Sequence, residues 1–216
     1  MKTGKLLRIT RVKHSKRFLA EKNESVPMRI LLRALILSII ILVMNDGVGH
    51  ADNLWSALKS RDHFVLIRHS LAPGYGDPDH FKVEDCKTQR NLNDNGRRQS
   101  VGIGDLFRLN GIASALIFSS QWCRCLETAR LLGLGQVSEL PALNSFFQDF
   151  ERGPSQTQEI KRWIKTMTLR TPTVLVSHQV NITSLVGYTP ASGEIVFVRR
   201  EHDGSLSMIG SIATLL

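Results

Sequence analysis

Three things are scarce in this chain of 216 residues, and each scarcity removes a class of protein. Cysteine occurs only at Cys86, Cys123 and Cys125. That is too few for a disulfide-framed scaffold, and no histidine stands at ligand spacing beside them, so a zinc site is not expected. Being odd in number, the cysteines allow at most one bridge within the chain. Cys86 is the partner of either Cys123 or Cys125, because those two are too close together to bridge without strain. Apolar stretches long enough to cross a membrane are missing too. The run Ala34–Met44 has eleven residues, where a spanning helix needs roughly 20. Finally, the chain lacks a basic body. Residues 1–51 hold ten Lys/Arg against three Asp/Glu, so +7 of the net +9 lies there, and 52–216 carry 18 against 16. A nucleic-acid footprint needs cationic residues clustered on the folded part. Pairs such as Arg97-Arg98 and Arg199-Arg200 are read as solvated surface, and nucleic acid is not an expected partner.

The first 51 residues read as a leader. Arg29 and Arg33 precede the apolar run, and a polar stretch then ends in Gly49-His50-Ala51. This is the order of a positive segment, a short apolar segment and a small-residue cleavage site in a secretory signal. The polar segment before Met28 is long for such a signal, so Met28 is the expected start and Asp52 the expected first residue of the mature chain. A periplasmic location follows, with membrane contact only through an uncleaved leader.

From Asp52 on, short buried-strand patterns alternate with helical ones. Strands are expected at 63–67, whose run Phe64–Ile67 suits burial on both faces, and at 115–118 and 173–176. Helices are expected at 94–110, capped by Asn93 or Asp94 and closed by Gly111, and at 123–132, 155–167 and 179–186. Two further strands, 194–198 and 206–210, flank the turn signal Asp203-Gly204. The alternation predicts one three-layer α/β/α domain over 52–216 with a mostly parallel central sheet. Gly102-Ile-Gly104 lies inside a helical stretch and lacks the third glycine of a dinucleotide loop.

Three strand ends carry the chemistry. The first ends in Arg68-His69-Ser70, the second leads through Ser119-Ser120 to Arg124, and the third ends in Ser177-His178-Gln179. Ligands of open α/β sheets bind outside the carboxyl ends of the strands, so two histidines and two arginines are aimed at one region. A phosphoryl group explains that company. Guanidinium groups clamp its oxygens bidentately, and a neutral imidazole can attack phosphorus and hold the group covalently. Neighbouring arginines disfavour the imidazolium and keep His69 nucleophilic. A second histidine can donate to the oxygens that gather charge in the transition state.

These segments resemble the histidine phosphatase (phosphoglycerate-mutase-like) superfamily. Leu66-Ile67-Arg68-His69-Ser70 is similar to its Arg-His-Gly signature. Ser119-Ser120-x-x-x-Arg124-x-x-x-Thr128-Ala129 is similar to its second motif, and Ser177-His178-Gln179-x-Asn181 to its last. Asn91-Leu92-Asn93-x-x-Gly96 resembles the segment before the first long helix, and the likeness extends over roughly 63–212. The resemblance implies that His69 is the nucleophile, that Arg68 and Arg124 bind phosphate, and that His178 is the second pocket histidine. No metal ligands cluster in the sequence, so no metal and no cofactor are expected.

Two departures stand out. Ser70 replaces glycine, and the acidic proton donor of many relatives is missing: Gln179 follows the last histidine, and Ser145 stands near the place of the other acid. Asp149, with Glu151 after it, is the candidate acid. Among compact exported members, the resemblance extends to the enzyme that dephosphorylates heptose of the lipopolysaccharide core, so the expected substrate is a small phosphomonoester or an envelope glycolipid phosphate. The rival expectation is an anion-binding protein that keeps the pocket without turnover.

Overall fold

The computed structural model describes Arg33 and residues 51–214. Apart from Arg33 and Ala51, the leader expected over residues 1–51, with its start at Met28, lies outside the described residues. Strands β1 (His63–Arg68), β2 (Leu116–Ser119), β3 (Val137–Glu139), β4 (Thr173–Ser177), β5 (Ile195–Arg200) and β6 (Leu206–Ile212) form one sheet in the order β3-β2-β4-β1-β5-β6. The pairs β3–β2, β2–β4 and β4–β1 are parallel, whereas β5 and β6 add as an antiparallel hairpin. Helices α1 (residues 51–58), α2 (Asp94–Leu109), α3 (Cys123–Leu131), α4 (Gly153–Thr166) and α5 (Gln179–Val186) cover the sheet.

Side chains alternate across a strand, and here the alternation divides the core in two. Val65 and Ile67 of β1, with Val174 and Val176 of β4, face a cluster filled from α1, α2 and α3 by Trp55, Phe107 and Ala129. Phe64 and Leu66, with Leu175, face a second cluster filled from α4 and α5 by Ile160, Ile164 and Ile182. The central residues of β1 are almost wholly withdrawn from water. Such burial contributes about 1.5–3 kcal/mol per large apolar side chain, which is why these strands read as unbroken apolar runs. The result is the three-layer α/β/α sandwich that the alternating pattern predicts.

Most boundaries fall within a residue or two of the sequence reading. Asn93 is the cap of α2, its side chain accepting from the Gly96 amide. Helix α4 begins at Gly153, earlier than expected, with Pro154 in its first turn. Strand β3 and helix α1 were not anticipated. Strand β3 is a three-residue edge strand whose one apolar residue, Val137, is half-buried. Helix α1 buries Leu54, Trp55 and Leu58, which stand at helical spacing directly after the leader. Gly104 owes its identity to packing, because a Cβ there would lie 2.0 Å from the Leu132 carbonyl oxygen. Of the two open cysteine pairings, Cys86–Cys123 is the one formed, and Cys125 is buried and free.

Candidate active site

The sheet register brings the three motif-bearing ends level. Arg68 lies opposite Ser177 and Ser119 opposite Val176. The chain holds that alignment one residue further: the His69 amide donates to the Ser177 carbonyl at 2.9 Å, and the Ser120 amide to the Val176 carbonyl at 3.0 Å. His69, Ser120 and His178 therefore leave the sheet side by side, and Arg124 enters from the first turn of α3. A cavity there is lined by Arg68, His69, Arg124 and His178, together with Asp77 and Arg90.

His69 is 3% exposed, with Nδ1 2.8 Å from the Ser70 carbonyl oxygen. A carbonyl only accepts, so Nδ1 carries the proton and the lone pair of Nε2 is left for attack. Burial pushes the His69 pKa well below its ordinary value, and the Arg124 guanidinium pushes it the same way. The ring is thus neutral at neutral pH. Ser70 fits where the signature has glycine because its hydroxyl accepts from Ser100 Oγ at 2.8 Å and its amide donates to Thr128 Oγ1 at 3.0 Å.

His178 stands with its ring centroid 5.5 Å from that of His69. Its Nε2 is 2.8 Å from Ser120 Oγ. Arg124 Nη2, which only donates, lies 3.4 Å from Nδ1, and Ser120 Oγ donates to Asn144 Oδ1 at 3.2 Å. Nδ1 therefore accepts, and Nε2 carries the proton and donates to Ser120 Oγ. Burial, then Arg124, holds this histidine neutral as well. Asn144 braces the arrangement, with Oδ1 accepting from the Gln121 amide at 2.8 Å. The remaining thiol is no rival nucleophile: burial pushes Cys125 up to about 12, so it stays protonated.

Arg68 donates from Nη1 to the Pro190 carbonyl at 2.9 Å. The Nε–H groups of Arg68 and Arg124 are both buried with no acceptor among the described residues. Buried donors left unpaired are costly, and an anion in the cavity would satisfy them.

Two pocket residues escaped the sequence reading. Arg90 crosses the cavity wall, its Nε donating to the Gly76 carbonyl at 2.8 Å. It directly precedes the quoted Asn91-Leu92 segment, and that adjacency was the available signal. Asp77, from the Gly- and Pro-rich loop 72–80, has a side chain only 4% exposed. Its Oδ1 accepts from Arg124 Nη1 at 2.7 Å and from the Arg90 amide at 3.1 Å. Its Oδ2 accepts from Arg124 Nη2 at 3.0 Å and from Trp122 Nε1 at 3.0 Å. Burial alone would raise its pKa, but these bonds, led by Arg124, outweigh it and hold the carboxyl below its usual range.

Asp149 lies elsewhere. It is exposed, 3.8 Å from Arg152 in an open ion pair, and it does not line the cavity; Glu151 is exposed too. The structure therefore gathers His69, Arg68, Arg124 and His178 and leaves Asp149 outside, with Asp77 as the carboxylate of the cavity wall. The expected acid position fails for a local reason: residues 150–152 turn as a short 3-10 helix that points the preceding acid to solvent.

No protein-family model and no curated protein matches the chain. Solved structures do match in fold. The protein histidine phosphatase SixA complexed with tungstate superposes with a TM-score of 0.51 at 14% identity, over 70% of this chain and 96% of the other. Phosphoserine phosphatase from Entamoeba histolytica, in complex with 3-phosphoglyceric acid, gives 0.51 at 14% identity, over 70% and 97%. A mycobacterial glucosyl-3-phosphoglycerate phosphatase in complex with VO3 gives 0.51 at 14% identity, over 68% and 96%. The chain thus has the fold of the histidine phosphatase superfamily, and at these identities the likeness is one of architecture.

Proposed function

We propose that this protein is an exported phosphatase of the histidine phosphatase superfamily that hydrolyses phosphate monoesters through a phosphohistidine on His69. The observation that carries the reading is the placement of a neutral imidazole with a free Nε2 among the guanidinium groups of Arg68, Arg90 and Arg124. A phosphoryl group entering the cavity meets the nucleophile, the two buried Nε–H donors, and the second histidine. Attack by Nε2 on phosphorus releases the alcohol; water then releases phosphate and restores the ring. Guanidinium groups fixed beforehand stabilise the charge that builds on the phosphoryl oxygens. The similar folds described above include phosphatases seen with tungstate, VO3 and 3-phosphoglyceric acid, which agrees with such a site.

Three features favour export and an envelope sugar phosphate as substrate. The leader pattern before Asp52 is that of a secretory signal, and a Cys86–Cys123 bridge suits an oxidising compartment. The mouth of the cavity has an apolar lip, Tyr75 edge-on to Phe147 with ring centroids 4.9 Å apart, on which a leaving group can rest. The test is phosphate release by purified protein from aryl and sugar phosphates, beside the His69→Ala variant. Release that depends on His69 supports the reading. A wild-type protein that frees no phosphate from any monoester tried would end it.

A further inference from the structure

Resting on that reading, we infer that Asp77 is the proton donor to the leaving group, lent to Arg124 until a substrate phosphoryl group takes the guanidinium from it. Three observations converge. Among the described residues that line the cavity, Asp77 is the only carboxylate. It grips both Nη atoms of the arginine placed to hold phosphate, so carboxylate and phosphoryl group compete for the same fork. It also follows a turn in which Gly74 and Gly76 have φ of +95° and +64°, values that glycine adopts without strain, and that turn sets the carboxylate in the cavity wall. The segment is held by the Tyr75–Phe147 contact, by a 3.1 Å bond from Gln148 Nε2 to the Asp77 carbonyl, and by a 2.8 Å bond from Arg90 Nε to the Gly76 carbonyl. Through the Asp77 carboxylate it is also held by the Arg90 amide and Trp122 Nε1.

The exchange balances. A monoester enters as its monoanion, and its acidic proton passes to Asp77 as the Arg124 N–H groups shift from carboxylate to phosphoryl oxygens. The net charge of the pocket with its substrate is unchanged. His69 Nε2 then forms the N–P bond. The ester P–O bond breaks, its electron pair goes to the leaving oxygen, and that oxygen takes the proton from Asp77. In the second half, Asp77 accepts a proton from the attacking water as the O–P bond forms, and the N–P pair returns to Nε2. Asp77 finally hands the proton to the departing phosphate and closes again on Arg124. A carboxyl freed from Arg124 and set beside phosphate is favoured in its protonated form, because like charges repel. The missing acid of the sequence motifs is thereby supplied from a different part of the chain.

The test compares 4-nitrophenyl phosphate, whose leaving group needs no proton, with an alkyl phosphate such as glycerol phosphate. In Asp77→Asn, kcat/KM is expected to fall about 100-fold for the alkyl ester and less than about tenfold for the nitrophenyl ester, the size of a lost general acid. Phosphoenzyme should also accumulate in that variant, since water activation is impaired. Equal losses on both esters, with weaker binding of inorganic phosphate, would mean that Asp77 only holds Arg124. Tighter phosphate binding with an unchanged leaving-group preference would mean that it only obstructs the pocket. Either result overturns the inference and leaves the phosphatase reading standing. A wild type inactive on both esters removes both. If the variant does not fold, the wild type alone decides: kcat/KM should be nearly level across aryl phosphates of rising leaving-group pKa, and a steep decline overturns the role.

Discussion

The floor and the roof of the cavity are built by different rules. The floor consists of His69, Ser120 and His178, each fixed by strand register and by backbone bonds between neighbouring strands. The roof is loop 72–80, Arg90 and the segment around Ser145–Gln148, held by side-chain bonds to backbone carbonyls and by one aromatic contact. A floor set by a buried parallel sheet has little freedom to vary. A roof made of loops can change its selectivity without disturbing the core.

Arg124 belongs to both, and its loss should have the largest effect. Arg124→Ala is expected to cut kcat/KM for an aryl phosphate on the order of 10²–10³-fold, as for other preorganised transition-state donors. Arg124→Lys should restore little, because a point charge does not replace a fork. Full activity in either variant would break the division, since the floor would then work without its clamp.

The bridge Cys86–Cys123 fastens the roof to the start of α3 across a sequence separation of 37. In the chain-entropy account, closing a loop of that size stabilises the fold by about 4 kcal/mol. Replacing both cysteines by serine should lower the melting temperature and raise KM more than it lowers kcat. A fall in kcat alone would show that the bridge serves the floor.

The floor should also reveal itself in the pH dependence of stability. His69 and His178 are held below their ordinary pKa first by burial and then by Arg124. A histidine kept neutral when folded but free to protonate when unfolded contributes fully above the unfolded value. It loses that contribution as pH falls below about 6.5, at about 1.4 kcal/mol per unit per histidine. Asp77, held low, keeps its contribution above the ordinary carboxylate range and loses it only as pH falls through its lowered value. Between about pH 6.5 and 5 the histidines therefore dominate. Thermal melts should show stability falling through that window, and His178→Asn should reduce the slope by roughly half. An unchanged slope would mean that His178 is charged in the fold.

The smallest effect is expected at Asp149. As an exposed carboxylate outside the cavity, its replacement by Asn should alter turnover by less than about twofold. A larger loss on poor leaving groups would transfer the acid role back to it from Asp77.

What was legible in the sequence follows the same division. Strands β1 and β4 announce themselves because two-sided burial demands apolar runs. Strand β2 shows the same pattern though Leu116 is exposed, and the catalytic candidates follow where those runs stop. His69, Arg124 and His178 could be placed without coordinates. Asp77 could not: its value lies in reaching Arg124, 47 residues away, through a loop whose composition states only that it bends. Asp149 misled because proximity in sequence to a motif was taken for proximity in space. The third guanidinium, Arg90, was a residue away from being noticed, and the cysteine partner was settled only by where α3 begins.

The central claim is that His69 carries the phosphoryl group, and a trapping experiment tests it most directly. Purified protein is mixed with a labelled aryl phosphate, quenched in alkaline denaturant and examined for bound label, with turnover read in the same tube and His69→Ala alongside. The account predicts label that is stable to alkali and labile to acid on the wild type, and neither label nor turnover in the variant. Turnover that persists in His69→Ala, or a label that survives acid, would contradict it.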